Sequence, residues 1–212
     1  MAESLLVILL HGYARTRRDM ASLASALEAA GHRTLSVQLP TTFGDLDECL
    51  AALDQQTREP LRALRTDGGG FALVGHSFGG LIARHWLARA SALPRSLLTI
   101  ATPHQGSELA DLALRWPLVG RLLPPLAQLR SSVRAPTFEP PRAFRIGAIA
   151  GCCEFTPSGL LLPAPNDGRV SVASALPTDA DHCRVLPLHH QRIHHDPQTL
   201  AAARRFLAGG GL

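Results

Sequence analysis

Lysine is absent: all 21 basic residues are arginine, giving a net charge of +4 over 212 residues. Aromatics are scarce too, at seven Phe, two Trp and one Tyr. A protein that grips nucleic acid needs a basic stripe and, for single strands, rings on which bases stack. Scattered arginines with so few rings between them supply neither, so no nucleic-acid partner is expected and the charge reads as a solvated surface. The four cysteines, Cys49, Cys152, Cys153 and Cys183, have no regular spacing and include an adjacent pair. That pattern excludes a disulfide framework and a CxxC-type zinc site, and no motif for another metal or for a cofactor stands elsewhere. Long apolar runs are missing as well. Leu5 to Leu10 is short against the roughly 20 residues that span a bilayer, and Met1-Ala2-Glu3-Ser4 lacks the positive charge of an export signal. The expectation is a cytoplasmic chain with no integral membrane segment. Without repeats or linkers, residues 1–212 read as one domain.

What is present is an alternation of strands and helices. Leu5 to Leu10 has the continuous apolar character of a strand covered on both faces. Asp19 to Ala30 reads as an amphipathic helix stopped by Gly31, and Arg33 to Leu39 as a second strand. A long helical stretch runs from about Asp45 to Arg65, with Pro60 expected to kink or split it. Phe71 to Val74 is a strand, and helical spacing of Leu81, Ile82, His85 and Trp86 follows. Arg95 to Ala101, Phe144 to Gly151 and Arg184 to Leu188 read as later strands, and Pro197 to Leu207 as a closing helix with Asp196 as its N-cap. Such alternation predicts a parallel, doubly wound α/β sheet with helices on both faces. The Leu-rich, proline-broken region 107–141 departs from it and is expected to form a small helical cap, with Trp116 to Leu126 roofing an apolar pocket.

The densest chemical signal is Gly75-His76-Ser77-Phe78-Gly79. A buried strand leads into it and a helix follows at once, so the glycines permit a sharp strand-to-helix turn that exposes the serine hydroxyl above the sheet. A serine hydroxyl needs a base to take its proton and a third group to orient that base. In this arrangement the acid and then the histidine follow the serine in the chain. Asp167, Asp179, Asp181 and Glu154 are the candidate acids. Asn166-Asp167-Gly168 is equally good as a plain surface Asx turn. Among His182, His189, His190, His194 and His195, the base belongs in the loop after the last strand. That leaves His189 and His190, which alternation points in opposite directions.

Four segments taken together resemble the α/β-hydrolase superfamily, specifically small bacterial lipase/esterase-like proteins. They are Leu9-Leu10-His11-Gly12-Tyr13, Val74 to Gly80, Ala101-Thr102-Pro103-His104-Gln105-Gly106-Ser107, and Asn166-Asp167-Gly168-Arg169-Val170-Ser171-Val172. His190, Asp196-Pro197 and Phe206-Leu207 form a looser fifth. The resemblance implies a reduced sheet that lacks the leading antiparallel strands of larger members. It further implies Ser77, Asp167 and His190 as a catalytic triad, with the backbone N–H groups of Tyr13 and Phe78 as the oxyanion hole. His11, His76 and His104 are expected to be structural. The implied activity is cleavage of small-molecule or lipid carboxylic esters through an acyl-enzyme, without cofactor or metal. A thioesterase or acyltransferase on the same triad, and a non-catalytic binding protein of the same fold, are the alternatives.

Overall fold

The computed structural model describes residues 4–116, 122–123, 125–130, 132–139, 142–153 and 156–212. Six strands form one sheet: β1 (Leu5–Leu10), β2 (Arg33–Val37), β3 (Gly70–His76), β4 (Ser96–Ile100), β5 (Arg145–Gly151) and β6 (His182–Leu186). Their order is β2-β1-β3-β4-β5-β6, and every neighbouring pair is parallel. The chain steps outward from β1 to β2, then returns past β1 and proceeds in the other direction. The reversal lies between β1 and β3, where the loops leaving the strand ends diverge and open α/β sheets form their crevice.

Period-2 geometry sorts the apolar run of β1 onto two cores. Leu6, Ile8 and Leu10 face the cluster that takes in Leu50, Leu53, Leu81 and Ile82, from α2 (Leu46–Asp67) and α3 (Phe78–Leu87). Leu5, Val7 and Leu9 face the other cluster, with Leu23 and Leu27 of α1 (Ala21–Glu28) and with Phe206 of the closing helix, Pro197–Leu207. A helix on only one face would leave half of these leucines in water, at about 1.5–3 kcal/mol each. Between β4 and β5 lie the short helices α4 (Glu108–Ala113) and α5 (Pro125–Gln128). α6 (Val172–Ala175) precedes β6, and α7 is the closing helix Pro197–Leu207.

Two expectations need correction. α2 is not split at Pro60 but continues through it for 22 residues. A proline removes one i to i−4 bond, and here Thr57 and Leu64 on either side of it are buried. A capping box at Asp45 and Glu48 and a left-handed Gly68 hold the two ends. The last strand begins at His182 and stops at Leu186, two residues earlier than the apolar pattern indicated. Pro187 has no N–H to give the ladder, and Leu188 N–H turns back to the Leu186 carbonyl at 2.8 Å, a γ-turn that ends the strand. Among the described residues no helix is long and apolar enough to cross a membrane.

One further tie is not legible in the chain's local patterns. Arg84, on α3 and fully buried, donates through Nη1 and Nη2 to the Asp179 carboxylate at 2.9 and 2.8 Å. Nη1 also reaches the Pro136 carbonyl at 2.8 Å, and Phe138 N–H donates to Asp179 at 2.9 Å. The pair thus joins α3, the helix that follows Ser77, to the segment before β5 and the loop before β6. Burial pushes the Asp179 carboxyl upward, but the Arg84 hydrogen bonds and charge outweigh it and hold the group below its ordinary value. Because the folded value is depressed, this stabilisation is complete above the ordinary carboxylate range near pH 4 and is lost as pH falls through the folded value. Asp179→Ala leaves a buried guanidinium unpaired and is expected to cost about 3–5 kcal/mol. Urea denaturation at pH 7 measures the loss, and the variant should also lack part of the wild type's acid-side slope.

Candidate active site

Ser77 links β3 to α3 at φ +53° and ψ −123°, a conformation that costs a non-glycine residue about 1–3 kcal/mol. It persists because the surroundings dictate it. Ser77 N–H is held by the Ile100 carbonyl of β4 at 2.8 Å. A Cβ on Gly75 would lie 2.5 Å from the Gly80 Cα, and one on Gly79 would run into the Leu10 and His11 carbonyl oxygens. The close approach expected between strand and helix therefore occurs at Gly75, whereas Gly79 clears the end of β1. Gly80, which pattern reading passed over, clears the Thr102 side chain.

His190 lies in the turn after β6, and its Nε2 stands 3.0 Å from Ser77 Oγ. Its Nδ1 meets Asp167 Oδ2 at 2.7 Å. A carboxylate can only accept, so Nδ1 carries the proton and Nε2 presents its lone pair to the hydroxyl. Asp167 is itself fixed. Its Oδ1 accepts from Arg169 N–H at 2.9 Å and Val170 N–H at 2.8 Å, and its carbonyl accepts from His190 N–H at 3.0 Å. The segment combines an Asx turn with the hydrogen bond to His190. Asn166 Oδ1 makes the Asx turn to Gly168 N–H at 2.9 Å, but the turn is buried rather than superficial. The rival acids are engaged elsewhere. Asp179 pairs with Arg84, and Asp181 with Arg142 and Ile146 N–H. Glu154 lies outside the described residues.

The Gly12–Tyr13 peptide adjoins the serine, since a Cβ on Gly12 would sit 3.1 Å from Ser77 Cβ. The Gly12 carbonyl accepts from Thr41 Oγ1 at 3.0 Å and His11 Nδ1 at 3.1 Å. In a trans peptide that turns the Tyr13 N–H the opposite way. Phe78 supplies the first N–H of α3, for which no helical carbonyl exists.

The remaining histidines divide plainly. His189 turns to Cys153 Sγ at 3.2 Å, and His182, inside β6, accepts from Arg145 at 3.0 Å. His11 Nε2 accepts from Leu39 N–H at 3.0 Å, and His104 Nε2 meets Thr99 Oγ1 at 3.2 Å. His76 donates from Nε2 to the His190 carbonyl at 3.1 Å and stacks on His194 at 3.8 Å. Burial, then the neighbouring His194 and His190, push the His76 imidazole well below its ordinary value, so it is neutral near pH 7. No motif reveals the His76 contacts, because they join segments more than 100 residues apart.

A cavity of about 320 Å³ opens at Ser77 and His190 between Tyr13, Leu109, Leu126 and Leu129. The expectation that Trp116 to Leu126 lines or roofs it is met at Leu126 and needs correction at Trp116 and Leu122. Trp116 is 72% and Leu122 58% exposed, and neither lines the cavity. Residues 117–121 and 124 lie outside the described set. α4 and α5 reach the cavity with one face each, and leucine density along the chain does not reveal which face that is.

A sequence model described as the alpha/beta hydrolase family matches residues 7–210. Triacylglycerol lipase 2 of Saccharomyces cerevisiae is 32% identical over 90 residues, which cover 40% of this chain and 27% of that protein. A triacylglycerol lipase of Pseudarthrobacter phenanthrenivorans is 56% identical over 39 residues, covering 18% and 12% respectively. The match thus spans about a quarter or less of the curated relatives' length. Among solved structures, a mature Bacillus licheniformis lipase superposes with a TM-score of 0.79 at 20% identity, over 97% of this chain and 92% of its own. A metagenomic carboxyl esterase gives 0.70 at 17%, over 90% and 65%. At these identities the structural likeness speaks for the fold.

The short Nδ1–Asp167 contact should give a low-field imidazole N–H proton in the ¹H NMR spectrum. That resonance should vanish in Asp167→Ala and in His190→Gln and survive in His189→Gln. Its loss in His189→Gln alone would reverse the roles of the two neighbours.

Proposed function

The chain belongs to the alpha/beta hydrolase family, and from that premise we propose that it is a serine hydrolase cleaving carboxylic esters through an acyl-enzyme. One observation carries the reading: Ser77 Oγ, His190 and the Asp167 carboxylate form a continuous hydrogen-bonded chain of 3.0 and 2.7 Å at the mouth of an apolar cavity. Ser77 Oγ attacks the ester carbonyl while His190 Nε2 takes its proton, and Asp167 offsets the charge that appears on the ring. The carbonyl oxygen becomes an oxyanion held by the Tyr13 and Phe78 N–H groups, each worth about 3–4 kcal/mol to the transition state. Collapse of the tetrahedral intermediate breaks the bond to the alcohol, which leaves with the proton from His190. Water then attacks the acyl-serine by the same route and regenerates the free hydroxyl.

The carboxylic ester as substrate is supported by the triacylglycerol lipases among the relatives and by the apolar wall of the cavity. At about 320 Å³ it lies at the small end of ligand pockets, which suits one acyl chain. In this reading residues 1–212 act as one hydrolase domain. The region 107–141 is its cap, and α4 and α5 contribute the acyl-facing side chains Leu109 and Leu126.

Ser77→Ala should abolish labelling by a fluorophosphonate probe and reduce p-nitrophenyl ester turnover by on the order of 10⁴-fold, with the fold retained. Unlabelled wild type would instead favour a binding protein, and faster turnover of acyl-thioesters than of oxygen esters a thioesterase. Leu126→Asp should weaken hydrolysis of long-chain esters more than of acetate, whereas Trp116→Ala, on the solvent side, should change neither. Equal losses on both ester lengths would remove Leu126 from the acyl wall.

A further inference from the structure

On the far side of His76 from the catalytic ring, three potential metal donors converge. Asp19 lies in a 3₁₀ turn, Arg17–Met20, after β1; His194 and His195 lie in another, Ile193–His195, three residues past His190. His194 Nε2 is 3.1 Å from Asp19 Oδ2, and His195 Nε2 is 3.6 Å from Asp19 Oδ1. One donor atom from each residue can be chosen so that all three fall within 4.8 Å of one another. Among the described residues no other group of three His, Cys, Asp or Glu side chains does this.

We propose that Asp19, His194 and His195 form a binding site for a divalent transition metal of the zinc class, bracing the catalytic-histidine loop against the loop after β1. Two imidazole nitrogens and one carboxylate oxygen are the borderline donors such ions prefer, and three protein ligands leave a position for water. A tetrahedral ion with bonds of about 2.0–2.2 Å needs donors about 3.4 Å apart. The 3.1 Å separation to Oδ2 and the 3.6 Å separation to Oδ1 lie near that value, and a modest turn of the carboxylate would let one oxygen serve with both rings. The remaining adjustment falls on His195, whose side chain is 38% exposed and whose Nδ1 would give up its 3.3 Å contact with Ser22 Oγ if the ring turned. His194, 1% exposed and stacked on His76, and Asp19, at 14%, form the fixed part of the site. The ion would enter from the His195 side and displace the Asp19–His194 hydrogen bond. A linear motif does not reveal the site, since its donors are 175 residues apart.

The tag-free full chain should be titrated with zinc chloride by calorimetry and with cobalt chloride by absorption. The expected result is one ion per chain, with a tetrahedral cobalt spectrum and no thiolate charge-transfer band. Melting should rise by about 5–10 °C at a hundredfold excess over Kd. His195→Ala, which removes an exposed ring, and Asp19→Asn should each weaken binding by at least about tenfold. Ser77→Ala should bind like the wild type, which separates this site from the hydrolase reading. Absence of binding, or binding that survives both donor variants, would overturn the proposal and leave Asp19 and His194 as a hydrogen-bonded latch. A thiolate band would place the ion on Cys153 and His189 and overturn it equally.

Discussion

Close backbone packing surrounds Ser77, and the candidate site depends on it. Three segments meet there with no side chain between them: the end of β1, the end of β3 and the first turn of α3. Gly75 faces Gly80 across the strand–helix junction, Gly79 faces the last carbonyls of β1, and Gly12 faces the serine itself. This contact fixes the serine at positive φ, because relaxing the turn would require α3 to move away from a sheet against which its whole inner face is buried. The same contact brings the Gly12–Tyr13 peptide and the first N–H of α3 to one place. The strain at a single residue is therefore offset by α3 and by three strands, β1, β3 and β4, whose Ile100 carbonyl holds the Ser77 N–H.

The other half of the site uses the same device on the far side of the crevice. Asp167 and His190 come from separate loops beyond β5 and β6, and Gly151 at the end of β5 lets those loops close. A Cβ on Gly151 would lie 2.7 Å from Asp167 Cβ and would strike the Leu188 carbonyl. Backbone bonds then set the register, His190 N–H on the Asp167 carbonyl and two loop N–H groups on its carboxylate. The imidazole is thus oriented from both its ring and its main chain before it meets the serine.

Particular residues show how much of this was legible in the sequence. The elbow was, because strand, glycines, serine and helix are contiguous and local sterics govern them. α7 was also, since Asp196 caps it and Pro197 starts it, and both signals act within one turn. The end of β6 was not: hydrophobicity continues through Leu188, and only the missing N–H of Pro187 stops the ladder. Pro60 does not split α2, its local penalty offset by the burial of Thr57 and Leu64 on either side. The choice between His189 and His190 turned on family resemblance, because alternation says that they diverge but not which one faces the serine. Arg84 with Asp179, the cavity wall and the Asp19–His194–His195 cluster are long-range contacts, and no periodicity in one chain records which distant segments will touch.

The neutral His76 follows from the same packing and bears on how charge is handled. When His190 accepts a proton, its ring becomes a cation 5.1 Å from the His76 ring, which in turn stacks on His194. Two adjacent imidazolium rings in a buried site would repel each other, and the second charge would oppose the proton transfer that the first requires. Burial prevents this by keeping His76 uncharged near neutral pH. What remains is a rigid, neutral ring whose Nε2–H holds the His190 carbonyl. Among the described residues the charged group hydrogen-bonded to the His190 ring is the Asp167 carboxylate, of the sign that stabilises an imidazolium. In the proposed mechanism His76 therefore acts through position, and its contribution lies in what it holds and in the charge it does not carry.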